Sequence, residues 1–115
     1  MIARLVLAVL LLLPLVAHAD NAFEPVGPTV SLAVTGATAR VQFQASSSPS
    51  IRIYNSGTVA AFIVCGGATV VATTGSGLPV APGTVEVLSC GPQTYVAGIS
   101  AGTALTLYIT PGAGI

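Results

Sequence analysis

The stretch Ala39-Arg40-Val41-Gln42-Phe43-Gln44-Ala45 alternates apolar and polar side chains one residue at a time. Val41, Phe43 and Ala45 fall on one side of an extended chain, with Arg40, Gln42 and Gln44 on the other. Side chains on a strand repeat every two residues, so the pattern predicts a half-buried strand, one face on a core and one in water.

The flanking sequence repeats this theme in short runs punctuated by Gly, Pro, Ser and Asn. On the N-terminal side, Thr29 to Val34 reads as a strand and Thr35-Gly36 as a turn. On the C-terminal side, Ser46 to Ser50 is a polar loop, after which Ile51 and Ile53 alternate with Arg52 and Tyr54. Asn55-Ser56-Gly57 turns the chain, and Thr58 to Cys65 returns with Val59, Ala61, Ile63 and Cys65 on one face. Two apolar-alternating runs around a short Gly-containing loop predict a β-hairpin. Gly66-Gly67 ends it, Ala68 to Thr73 reads as a further strand, and Thr74 to Pro82 as a Gly/Pro-rich loop. Thr84 to Cys90 follows, with Val85 and Val87 on one face and Glu86 and Leu88 on the other. Tyr95 to Ile99 and Thr103 to Thr110 complete the set; in the last, Leu105, Leu107 and Ile109 share a face and Pro111 stops the run. Seven or eight short strands with close turn signals predict an all-β fold: a small two-sheet antiparallel sandwich, jelly-roll-like, over residues 29–115. The strand order stays open.

Upstream the composition changes. Met1 to Arg4 carry a short positive segment, Leu5 to Val16 a leucine-rich apolar run, and Ala17-His18-Ala19 a small-x-small pattern followed by Asp20. These parts predict a secretory signal-peptide helix over 1–19, cleaved between Ala19 and Asp20. About twelve apolar residues at 1.5 Å each span roughly 18 Å, short of the roughly 30 Å hydrocarbon core. Pro14 interrupts them as well. The membrane is therefore a transient partner, met only through the leader, although retention of the leader as an anchor stays open. Residues 20–28, with Pro25 and Pro28, read as an extended N-terminal arm.

The charge pattern excludes several functions. The chain is 53% hydrophobic and 5% charged, with formal net charge zero. Ordinary soluble domains carry roughly 25% charged residues. With no lysine, and only Arg40 and Arg52 after the leader, no cationic cluster exists to hold a phosphate backbone, so nucleic acid is not an expected partner. His18 lies in the leader, and the acids beyond it are Asp20, Glu24 and Glu86, two of them on the arm. Acid–base and triad chemistry need histidine, a tuned lysine or paired carboxylates, so the expectation is a non-enzyme with no cofactor. Gly66-Gly67 and Gly75-Ser76-Gly77 read as turns, since neither a lysine nor a helix follows them. Arg40 and Arg52 read as outward residues able to meet Glu86 across strands, a surface pair worth at most about 1 kcal/mol. Tyr54, Tyr95 and Tyr108 are candidates for a ligand-stacking platform, or for amphipathic packing.

Cys65 and Cys90 are the only cysteines. Export into an oxidising compartment favours a disulfide, which would close a loop of about 25 residues and contribute on the order of 3 kcal/mol. Two separate buried thiols are the other reading. Two thiols without a nearby histidine fall short of zinc's four ligands, so no metal is expected.

The segments Ile51-Arg-Ile-Tyr-Asn-Ser-Gly-Thr-Val-Ala-Ala-Phe62, Val71-Ala-Thr-Thr74, Val80-Ala-Pro-Gly-Thr-Val-Glu-Val-Leu88 and Tyr108-Ile-Thr-Pro-Gly112 resemble small tailed-phage and prophage β-sandwich proteins. The resemblance runs from about Thr29 to Gly114. It implies a head-decoration-like virion component that works through assembly contacts with copies of itself or a capsid. No functional residues accompany it. The leader and the cysteine pair imply an exported location, periplasmic or extracellular, beside the virion location that the resemblance implies. The alternative function is an exported β-sandwich module that binds a glycan or small ligand.

Overall fold

The computed structural model describes residues 22–47 and 49–114. The expected signal helix and its cleavage point, Ala19 and Asp20, lie outside them. Every regular element among the described residues is a strand: β1 (Glu24–Pro25), β2 (Val30–Val34), β3 (Ala39–Gln42), β4 (Ser50–Asn55), β5 (Ala61–Gly66), β6 (Leu78–Val80), β7 (Val85–Ser89), β8 (Tyr95–Ile99) and β9 (Leu105–Ala113).

Two antiparallel sheets form. In the first, β9 is flanked by β4 on one side and by β2 and β1 in succession on the other, and β7 adds outside β4. The second runs β3-β8-β5-β6. Leaving β1 aside, the pairs β2·β9, β3·β8, β4·β7 and β5·β6 nest like a long hairpin folded over on itself. That nesting gives the eight-stranded, doubled Greek-key order of a jelly roll.

The alternation seen in the sequence decides which side chains enter. Leu32 and Val34 from β2, Ile51 and Ile53 from β4, and Leu107 and Ile109 from β9 face Ala61 and Ile63 from β5, Val80 from β6 and Val96 from β8, all buried. Each such Leu, Ile or Val contributes about 1.5–3 kcal/mol of transfer free energy relative to exposure. Gly98 in β8 sits at the midline, where the methyl groups of Leu32, Val34 and Leu107 fill the place a side chain would take.

Two ties join the sheets at opposite ends. Asn55, fully buried at the end of β4, donates from Nδ2 to the carbonyls of Val59 and of Val80, each at 2.9 Å, and accepts from Gly57 N–H through Oδ1. At the far end Cys65, on β5, is bonded to Cys90, just after β7, with the Cα atoms 5.6 Å apart. That separation lies within the usual disulfide range.

Five expected features differ. The hairpin expected over Ile51 to Cys65 does not form: β4 pairs with β7 and β9, and β5 with β6 and β8, so Asn55-Ser56-Gly57 carries the chain from one sheet to the other instead of back along the same one. Nor does Pro111 stop the last strand, since β9 continues through it to Ala113. Ala68 to Thr73 is not a strand: the chain turns at Gly67, whose carbonyl accepts from Val70 N–H, and Val70 folds back against the bare α-carbon of Gly66. Within the expected loop 74–82, Leu78 to Val80 is a strand at the sheet edge, where Pro79 costs no ladder bond. The strand at Ala39 ends at Gln42, since Phe43 leaves the ladder with a single bond to the Thr94 carbonyl.

Candidate interaction face

The outward face of the five-stranded sheet is assembled by register. Tyr54 of β4 lies between Tyr108 of β9 and Val85 of β7, and Ser31 of β2 extends the row past Tyr108. In the next row Arg52 lies between Thr110 and Val87. The side chains of Tyr54, Tyr108 and Val85 are 37%, 43% and 39% exposed, so a contiguous apolar and aromatic strip meets solvent. The two tyrosine rings lie nearly parallel, at 21°, with centroids 6.3 Å apart. A cross-strand aromatic pair of this kind contributes about 0.5–1.5 kcal/mol beyond its burial.

This strip arises because β7 has apolar residues of both parities. Leu88 takes the inward side, which sends Val85 and Val87 outward and leaves Glu86 inward but exposed at the sheet edge. An inward charge on an edge strand also discourages uncontrolled strand addition there.

Beside the strip lies a shallow recess of about 400 Å³, lined by Phe23, Pro25, Thr29, Arg52 and Thr110. The Thr29 and Thr110 hydroxyls share a hydrogen bond at its wall, 2.7 Å long. Arg52 is the one charged residue that lines the recess.

The candidate residues do not gather elsewhere. Tyr95 lies in the other sheet, opposite Gln42 and Gly66, so the tyrosines form a pair and not a trio. Arg40 is also in that sheet, and Arg52 faces Val87 while Glu86 stands opposite Ile53 with reversed parity; the expected pairing of either arginine with Glu86 is replaced by these neighbours. Glu24 and Glu86 lie on the two opposite edge strands of one sheet. Three strand spacings separate them, roughly 14 Å, beyond the about 5–9.5 Å of paired glycosidase carboxylates. No group of three or more His, Cys, Asp or Glu among the described residues could hold a metal ion. Asn55 was readable only as a turn residue, although it continues the inward parity of Ile51 and Ile53.

No family model matches the chain, and no curated protein matches it. The phage resemblance therefore has no family match behind it. Among solved structures the chain is similar to one from Bacillus endospore appendages, described as a family of disulfide-linked pili, at 18% identity and a TM-score of 0.43 over 84% of this chain and 96% of that one. A likeness of that size does not bear on function.

Proposed function

We propose that this protein is an exported, non-enzymatic assembly module, similar in role to a virion decoration protein, which works by packing against copies of itself. The observation that carries this is the uncharged strip Tyr54–Tyr108–Val85 on the outward face of the five-stranded sheet. The outer face of an antiparallel sheet ordinarily alternates to polar and charged residues, and apolar patches left on it mark contact sites. Copies meet with little electrostatic penalty, because after loss of residues 1–19 the chain carries only Arg40 and Arg52 against Asp20, Glu24 and Glu86, a formal charge of −1. Light scattering of the exported protein across a concentration series tests this: growth of the particle mass with concentration supports it, and a strict monomer at the highest concentration overturns it.

A second reading is favoured by the paired rings of Tyr54 and Tyr108 beside Arg52, which offer an aromatic surface to a sugar ring. A glycan array that stays blank, with melting temperature unchanged across a ligand panel, removes it.

A further inference from the structure

The N-terminal arm is exposed at residues 22 and 24–28, and only its Phe23 is half-buried. Its ladder is to β9 alone, through Glu24 with Ala113 and Pro25 with Gly112, and Val26 N–H continues it to the Pro111 carbonyl at 2.8 Å. Both β1 residues are exposed. A recess of about 350 Å³, lined by Ala22, Glu24, Ala113 and Gly114, lies on one side of it, and the recess of about 400 Å³ that contains Phe23 and Pro25 lies on the other. Few buried contacts and solvent-exposed ladder bonds mark a segment that opens at low cost.

The strand it leaves is nevertheless shaped for a cover. Pro111 and Gly112 are buried beneath the arm. A side chain on Gly112 would run into the Glu24 carbonyl and into Phe23, whose Cζ lies 2.5 Å from that Cβ position. The glycine therefore makes the seat that the Phe23 ring occupies. Between arm and body lies Gly27, at φ +108° where only glycine is at ease, followed by Pro28. Extended, the seven described residues from Ala22 to Pro28 reach roughly 24 Å.

We propose that the arm is an exchangeable strand: it leaves its own β9 and pairs, in the same register, with residues 111–113 of β9 in a second copy of this chain. This deepens the assembly reading and rests on it. Exchange keeps every arm-to-β9 contact while converting it from intrachain to interchain, which is why swapping is a low-cost route to oligomers.

The register supplies the test. Full-length exported chains carrying Glu24→Cys alone and Ala113→Cys alone, tagged to differ in size, are mixed under mild oxidation. Exchange yields a disulfide-linked heterodimer several times more abundant than that from a control mixture in which Ala37→Cys, away from the arm, replaces Glu24→Cys. Adding Gly112→Ala to the Ala113→Cys chain blocks the seat and returns the yield to control. A mixture at control level, with the Glu24→Cys/Ala113→Cys double variant bridged wholly within single chains, overturns the exchange. If that result comes with a mass that still grows with concentration, exchange alone is wrong and the assembly reading stands; with a strict monomer, both fall.

Discussion

The Asn55 amide, on one sheet, donates to the Val80 carbonyl, on the other, at 2.9 Å. With the Val59 carbonyl as second acceptor and Gly57 N–H as donor, the buried side chain is fully engaged. Asn55→Ala strands a buried carbonyl and is expected to cost about 2–3 kcal/mol. Urea denaturation should show a lower midpoint at an unchanged slope.

The bridge at the other end of the sandwich makes a separable contribution. Replacing both Cys65 and Cys90 by alanine should cost about 3 kcal/mol and lower the melting temperature by more than about 10 °C. Calorimetry of the wild type with and without reductant should reproduce the difference. Equal melting in both conditions would show that the bond carries no stability.

Glycine substitutions discriminate packing from loop geometry. A methyl group on Gly57 would lie 2.5 Å from the Leu105 Cβ, whereas one on Gly75 would meet nothing within 4 Å. Gly57→Ala is expected to destabilise by about 1–3 kcal/mol, and Gly75→Ala to stay within about 0.5 kcal/mol of wild type. Chemical denaturation of the pair checks both values together.

On the outward face, Tyr108→Lys places a charge in the strip. The side chain is exposed, so folding stability should fall by no more than about 1.5 kcal/mol, the worth of the ring pair. Association should weaken in light scattering. Val71→Lys, exposed away from this sheet, should leave association unchanged; if both variants act alike, the effect belongs to net charge and not to the face.

Gly27→Ala separates the seated arm from the released one. The φ of +108° disfavours any side chain, and the new methyl meets Gln44 and Pro111 at 3.3 Å. The variant should therefore lose its intrachain arm pairing and gain associated species in size-exclusion chromatography. A purely monomeric Gly27→Ala chain contradicts the exchange.

Much of the fold was legible because the alternation is clean where a strand has one wet face. Leu105, Leu107 and Ile109, and likewise Ile51 and Ile53, point inward as their parity requires. Legibility failed where parity is ambiguous or backbone decides. Val85 and Val87 look like a core face, yet Leu88 of the opposite parity takes that role. Pro79 disguises an edge strand, and the Val70 turn depends on the empty α-carbon of Gly66, four residues earlier, which no alternation pattern marks. The pairing of Tyr54 with Tyr108 depends on β4 lying beside β9, a neighbour relation between segments about 50 residues apart that no local signal carries.

Strand β9, the last in chain order among the described residues, occupies the middle of its sheet, with β2 on one flank and β4 on the other. Without residues 105–113, β2 has no strand partner among the described residues, and the opposing layer loses the cover of Leu105, Leu107 and Ile109. The five-stranded sheet therefore closes only once residues 105–113 are in place, and a chain cut after Ala104 lacks the keystone that joins β2 to β4.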